Sequence, residues 1–258
     1  MNNHKKYIYP DSNNTIMSIF IENNEPYKNY WKKSENYALE TFTNIIKENK
    51  IKNILDIGAG NGNKIKKIHK HFEEITIIEP DESMFNICKT TLKDIKNITY
   101  INNTFLNTNL NEKKFDIILC AYTLPFINSE KLNAFINKLY DTLKINGYLI
   151  ILAPHSKSNK SFYRKTYIDY NKIKRKKIKK HKLKFSSLNK EHIIIEKVFS
   201  IQDLKKLFKK FSLSQFKVYH ILNKNLIVDK FIFRDKFYNS LPFKHKFGEN
   251  VYMLFQKK

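Results

Sequence analysis

Apolar residues in this chain come in short, near-continuous runs separated by amphipathic stretches. Residues 51–56, 75–79, 98–101, 115–121 and 148–153 are runs of strand character, rich in Ile and Leu. Between them, three groups fall at helical spacing: Ile65, Ile68 and Phe72; Met84, Cys88 and Leu92, in a helix starting at Asp81; and Leu132, Phe135, Ile136, Leu139 and Leu143, in a helix opened by Ser129 and stopped by Gly147. Strands that are apolar on both sides must be covered on both faces, so five such steps predict a parallel sheet with a helical layer on each side. Upstream, Leu39, Phe42 and Ile46 share one helix face that continues from Tyr27, Tyr30, Trp31 and Tyr37. This predicts a helical cap over residues 1–50, ahead of an α/β domain over 51–258. The pattern dissolves into Ser, Asn and Lys over a lysine-rich insertion, 155–195, after the fifth strand. It then recovers: Ser200 and Asp203 form a capping pair for a helix bearing Leu204, Leu207, Phe208 and Phe211. Runs at 216–222 and 251–255 supply a sixth and a seventh strand, joined by a variable connection through Phe231 and Phe243.

Composition narrows the class. With 258 residues, 41% of them hydrophobic and twenty of them Phe, the chain has material for one well-formed core and is not a disordered polymer. Met-Asn-Asn-His-Lys-Lys leads into no apolar signal region, and the longest apolar run, Ile117 to Ile127, is too short to span a bilayer. A cytoplasmic protein without a transmembrane segment is expected. Cys88 and Cys120 are far apart and form no zinc or redox motif, so no metal is expected. The net charge is +24, from 48 Lys and Arg against 24 Asp and Glu, and 45 of the basic residues are Lys. Nucleic-acid recognition favours the Arg fork, so this excess speaks first of compositional bias. Bias does not account for the local concentration: between Lys157 and Lys184 thirteen basic residues stand against the single acid Asp169. RNA or an acidic protein is the partner that segment 157–184 would attract.

The chemistry concentrates after the first strand. Asp56-Ile57-Gly58-Ala59-Gly60-Asn61-Gly62 has glycine at every second position, where backbone can turn with φ > 0 and approach a ligand closely. Seventeen residues beyond Gly62 the second apolar run ends in Glu79, an acid placed to accept from two ribose hydroxyls. Together these suggest a nucleoside site. The loop resembles the first motif of class I S-adenosylmethionine-dependent methyltransferases. Glu79-Pro80-Asp81-Glu82-Ser83-Met84 resembles their second motif, Phe115 to Ala121 their fourth strand, and Leu143 to Leu149 the turn into their fifth. The resemblance implies a Rossmann-like, seven-stranded, mostly parallel sheet, with S-adenosyl-L-methionine as methyl donor. In that reading the backbone at Gly58, Ala59 and Gly60 approaches the donor's amino-acid portion and Asp56 helps hold its ammonium group. Glu79, followed by Pro80, binds the ribose, and Met84 lies against adenine or packs in the helix core. The acid such enzymes often place after the third strand is replaced here by Asn103 and Thr104, either of which offers one acceptor to the adenine amino group.

Cys120-Ala121-Tyr122-Thr123-Leu124-Pro125-Phe126, at the end of the fourth strand, is expected to face donor and acceptor. Cys120 borders the donor, and Tyr122 is the candidate for substrate contact and catalysis. His155, after the fifth strand, is the candidate base, with His220 and His245 in less defined places. Tyr27, Tyr30 and Trp31 of the cap are candidate substrate contacts, or they dock the cap on the core. Three functions remain open on the residues. The first is methyl transfer to a small-molecule N or O acceptor, supported by the aromatic cap and by a faint likeness to histamine N-methyltransferase-like proteins in Glu79-Pro80, the Ser200 helix and the long stretch after the fifth strand. The second is an RNA methyltransferase that binds phosphates with its lysine-rich segment. The third is a non-catalytic donor-binding or partner-binding subunit.

Overall fold

The computed structural model describes residues 27–49, 51–169, 172–178, 193–220 and 228–258. Among them, ten strands join in one sheet. β1 (Asn53–Ile57), β2 (Glu74–Ile78), β3 (Ile98–Ile101), β4 (Phe115–Ala121) and β5 (Leu143–Ser156) pair in parallel in the order β3-β2-β1-β4-β5. β10 (Asn250–Gln256) lies antiparallel between β5 and β9 (Ser212–Tyr219). The pattern of apolar runs thus predicts the main sheet correctly. One-sided alternation would have left a face wet, whereas Ile54, Leu55, Ile117, Ile118, Leu119 and Cys120 are all fully buried.

Side-chain alternation sends the two sets of strand residues into two layers. Ile54, Ile77, Ile117, Leu119 and Leu152 pack under α1 (Tyr27–Glu48), α2 (Asn63–Ile68) and α3 (Glu82–Thr91). Leu55, Ile57, Ile118, Ile151 and Met253 pack under α4 (Leu132–Thr142) and α5 (Ile201–Leu207). The cap helix, predicted from its face, is seated by Ala38, Leu39, Phe42 and Ile46, all buried. Burial of the three large ones contributes roughly 1.5–3 kcal/mol each, enough to hold a helix that would be marginal alone. No helix among the described residues is long and apolar enough to cross a membrane.

Four expectations are corrected. Where the apolar pattern dissolves, the described residues of 155–195 still form strands: β5 runs to Ser156, and β6 (Phe162–Asp169), β7 (Lys172–Ile178) and β8 (Ile193–Ser200) form an antiparallel extension with β6 in the middle, while 170–171 and 179–192 lie outside the described residues. β8 joins the main sheet in parallel through His155↔Phe199 and Ser156↔Ser200. Ser129 does not open α4, because its hydroxyl bonds the Tyr163 hydroxyl at 2.6 Å and the helix starts at Leu132. Gly147 does not stop that helix, which ends at Thr142; the turn at Asn146 (φ 62°) and Gly147 lies inside β5. The variable connection carries a helix, α6 (Val228–Ser240). The Ser200 cap forms as predicted, with its hydroxyl accepting from the Asp203 amide at 3.0 Å.

Candidate functional site

β1, β2, β4 and β5 point the same way, and β9 points with them because it and β5 both pair antiparallel with β10. Their carboxyl ends, with the start of β10, make one edge, where ligands of open α/β sheets bind. The glycine loop leaves β1 here. Its first amide, Gly58 N–H, donates to the Ile78 carbonyl at 2.8 Å, which ties the loop to the end of β2.

The three glycines have separate reasons. All have positive φ: 72° at Gly58, 59° at Gly60 and 77° at Gly62. A Cβ at Gly58 would collide with the Thr123 side chain, whose hydroxyl donates to the Ile57 carbonyl at 2.7 Å and locks the β4 exit against the loop. A Cβ at Gly62 would stand 2.9 Å from Cys88 Sγ and 3.0 Å from Leu92, against α3. A Cβ at Gly60 would meet no atom within 4 Å. Gly60 therefore borders open space, the cradle a closely approaching ligand needs. Ala59 between them is fully buried.

Two acids sit beneath this space. Asp56, on β1, and Glu79, just after β2, are both fully buried. Glu79 Oε2 accepts from Gly60 N–H at 2.8 Å and Oε1 from Asp81 N–H at 3.0 Å, while Asn102 Nδ2 donates to the Glu79 carbonyl at 2.8 Å. Burial pushes the Glu79 carboxyl up to about 7, against the two amides that favour its charged form and with the nearby negative charges of Asp81 and Asp56. An acidic floor in a chain of net charge +24 is a local inversion, suited to a cationic ligand. Pro80 is half-buried. Asp81 caps α3, its Oδ1 accepting from the Met84 amide at 2.8 Å, and Met84 itself is buried.

The remaining predicted residues divide. Asn103 Oδ1 accepts from the Thr104 amide at 2.8 Å and Thr104 Oγ1 from the Asn107 amide at 3.2 Å, so each oxygen already serves the backbone. Cys120 is fully buried with its thiol pushed by burial up to about 12, and Cys88 likewise, which makes both inert packing groups. Tyr122 follows β4 directly with φ 60°, a left-handed conformation rare for a bulky residue, held by its amide donating to the Leu152 carbonyl at 2.7 Å. Its hydroxyl is hydrogen-bonded to that of Tyr219 at the end of β9. His155 is buried at the end of β5 with Nε2 3.1 Å from the His245 carbonyl, and burial lowers its imidazole to about 4. A group so lowered stays neutral and is a weak base near neutrality. Tyr27, Tyr30 and Trp31 lie on α1, their side chains outside the described residues. Sequence reasoning missed Tyr219, Asp235 and the pairing of His220 with Asp235, at 2.5 Å. No spacing signals them, since β9 and α6 bring them together only in the fold. The described residues hold no group of His, Cys, Asp and Glu that could bind a metal.

Residues 54–147 match the methyltransferase domain family, the stretch that holds the glycine loop, Glu79 and β4. The carboxy-S-adenosyl-L-methionine synthase of Nautilia profundicola is 26% identical over 155 residues, 55% of this chain and 62% of that one, so the chain spans less than two thirds of that relative's length. Two solved structures share the fold over nearly the whole chain. The N-methyltransferase NodS of Bradyrhizobium japonicum, in complex with S-adenosyl-L-homocysteine, superposes with TM-score 0.58 at 12% identity, covering 96% of this chain and 99% of that one. The 1,6-didemethyltoxoflavin-N1-methyltransferase of Burkholderia thailandensis gives TM-score 0.58 at 12% identity, with 95% of this chain and 88% of that one covered. The strand order, the glycine loop and its acidic partner thus fall on the residues that match the methyltransferase domain family, and the fold is the one shared with these methyltransferase structures.

Proposed function

We propose that the protein transfers a methyl group from S-adenosylmethionine to a small-molecule N or O acceptor. The observation that carries this is the open space at Gly60 above Asp56 and Glu79, an acidic cradle for a cationic donor in a basic chain. Asp56 and the loop backbone would hold the donor's amino-acid portion, Glu79 its ribose, and the remaining lone pair of Asn103 Oδ1 or Thr104 Oγ1 the adenine amino group. The donor arrives already activated, so the protein's part is alignment and exclusion of water. The relatives support the two halves unequally. The synthase is named for an S-adenosyl compound, and the two structural neighbours are named as N-methyltransferases, one with a bound heterocyclic acceptor. No matching residue supplies the amine-binding carboxylate of histamine N-methyltransferase-like proteins, so histamine is not proposed. The test is release of S-adenosylhomocysteine with a panel of small hydroxyl and amine compounds. Donor binding without turnover on any of them would favour the non-catalytic donor-binding reading.

Donor affinity should depend on pH through Glu79. Ribose hydroxyls donate to the carboxylate, and the Glu79 carboxyl sits at about 7 in the free protein. Binding therefore favours loss of its proton, and affinity should fall as pH drops below about 7, with proton release detectable by calorimetry in buffers of different ionisation enthalpy. An affinity constant from pH 8 to pH 5.5 would mean that Glu79 takes no part.

On the acceptor side, Tyr122 is held in its left-handed conformation beside the glycine loop, the kind of local strain that clusters at functional sites. Tyr122→Phe removes a hydroxyl bonded to that of Tyr219 and should lower turnover by roughly tenfold or more, with little change in donor affinity, because no donor contact is touched. An equal loss of donor binding and turnover would put Tyr122 in the donor pocket or the core.

The basic extension favours a second reading, RNA as acceptor. Lys174, Arg175, Lys176 and Lys177 are exposed along β7, the outermost strand, and Lys177 Nζ lies 4.9 Å from the Phe162 ring centre. Lysine on an edge strand also has a plain structural use, since it blocks pairing with a second sheet. Replacing Lys174, Lys176, Lys177, Lys179 and Lys180 by Gln, the last two outside the described residues, should abolish salt-sensitive, sequence-independent RNA binding and leave small-molecule methylation intact. Site-specific methylation of an RNA at physiological salt, lost in the same variant, would promote the second reading.

A further inference from the structure

β9 ends at Tyr219 on the edge that carries the glycine loop, and the next residue, His220, faces α6. His220 Nδ1 lies 2.5 Å from Asp235 Oδ1, with the imidazole 4% and the carboxylate 0% exposed. Phe231 stands edge-on to the imidazole at 5.7 Å and Tyr238 lies tilted against it at 5.5 Å, so the pair sits in an aromatic housing. Asp235 Oδ2 has no hydrogen-bond partner among the described residues, and Oδ1 is the oxygen that meets the imidazole. With Nδ1–H donated to Asp235, the lone pair is on Nε2, for which the described residues supply no partner. The arrangement is that of a base whose tautomer is fixed by a carboxylate and whose conjugate acid is stabilised by the same carboxylate.

The pair is not needed as a structural pin. Asn239 already clamps α6 to β9: its Oδ1 accepts from the Val218 amide at 2.8 Å, and its Nδ2 lies 2.7 Å from both the Val218 and the Asp235 carbonyls. The pair is also connected to the donor loop. Thr123 packs on Gly58, Tyr122 precedes Thr123, the Tyr122 and Tyr219 hydroxyls are bonded, and His220 follows Tyr219. From the cap side, the Asp235 charge reaches Tyr37 of α1. His155, the other histidine on this edge, has its Nε2 committed to a carbonyl.

We propose that His220, oriented by Asp235, is the base that removes the acceptor's proton, and that the acceptor is a neutral O–H compound of phenol or enol type. This rests on the methyltransferase reading. The O–H bond of the acceptor breaks and its proton passes to His220 Nε2. The oxygen's electron pair forms the bond to the methyl carbon, and the methyl–sulfur bond breaks with its pair left on sulfur. The sulfonium charge is thereby exchanged for an imidazolium beside Asp235. A base of this kind serves an acceptor that arrives protonated and must lose its proton as it is methylated, and a chain of net charge +24 favours an acceptor that becomes an anion over one that arrives as a cation.

The test uses the full chain, S-adenosylmethionine and phenols of graded acidity from 4-methylphenol to 4-nitrophenol at pH 8, with binding of S-adenosylhomocysteine measured in parallel. His220→Gln should lower turnover of 4-methylphenol on the order of 100-fold or more. The loss should shrink toward unity for 4-nitrophenol, which is already ionised, and binding of S-adenosylhomocysteine should not change. Asp235→Asn should lose activity with the same dependence on acidity, in kcat more than in KM. A loss independent of phenol acidity would overturn the proposal, as would a wild-type protein that binds S-adenosylhomocysteine but methylates no phenol. Failure to bind S-adenosylhomocysteine at all would instead sink the underlying reading. Should His220→Gln not fold, nitrogen NMR of the histidine-labelled wild type decides: a His220 proton on Nδ1 with a bare Nε2 is expected, and the opposite tautomer would overturn the assignment.

Discussion

Replacing Gly60 with valine is expected to abolish binding of S-adenosylmethionine and S-adenosylhomocysteine while the protein stays folded. The loss should be at least ~100-fold, about 2.7 kcal/mol. Gly60 has φ 59° and no atom within 4 Å of where its Cβ would stand, so the valine finds room in the protein but occupies the space a donor would use. The left-handed conformation itself costs a non-glycine residue roughly 1–2 kcal/mol, a dent in stability that a core of this size absorbs. The neighbouring glycines differ: a side chain at Gly58 or Gly62 strikes Thr123 or Cys88 and Leu92, so loss of binding there is mixed with loss of packing. Calorimetric titration with S-adenosylhomocysteine and a thermal melt separate the two effects. A folded Gly60→Val protein that binds like wild type would remove the donor from the loop.

Glu79→Ala should cost about 1–3 kcal/mol of donor affinity, the range for hydrogen bonds to a charged acceptor. The variant also strips acceptors from the Gly60 and Asp81 amides, at 2.8 and 3.0 Å, so part of the loss comes through a loosened loop. Glu79→Gln separates the contributions, since its one carbonyl can still serve one amide without the charge. Stability should respond in its own way. The carboxyl rises from 4.5 to about 7 on folding, so the native state takes up a proton between those values and Glu79's contribution to stability declines as pH rises through them. The alanine variant should lack that decline. Unchanged donor affinity in both variants would mean that Glu79 is not the ribose ligand.

Most of the proposed donor site was legible in the sequence. β1 to β4 are read almost to the residue because strands buried on both faces must be apolar throughout, and Asp56, the glycines and Glu79 interrupt that rule where a parallel sheet presents its carboxyl ends. The cap helix is read from Leu39, Phe42 and Ile46 for the same reason. The β6–β7 pair is not legible: Lys174 to Lys177 are all exposed on the outermost strand, so they carry no hydrophobic alternation to distinguish strand from loop. The start of α4 is misread because Ser129, a fair capping residue, is drawn away by Tyr163, a partner 34 residues distant. The acceptor side suffers most from such long-range juxtaposition. Tyr122 and Tyr219 are 97 residues apart, and His220 meets Asp235 where Asn239 and the buried Phe231 seat α6 on β9.

A structure of the protein with S-adenosylhomocysteine bound tests the proposed donor site most directly. The ribose hydroxyls should lie within hydrogen-bonding distance of the Glu79 carboxylate, the amino-acid portion should lie over the open face of Gly60, and the sulfur should face the end of β4 at Tyr122. A nucleoside bound away from Glu79, or none bound at saturating concentration, would contradict the assignment of this edge as the methyl-transfer site.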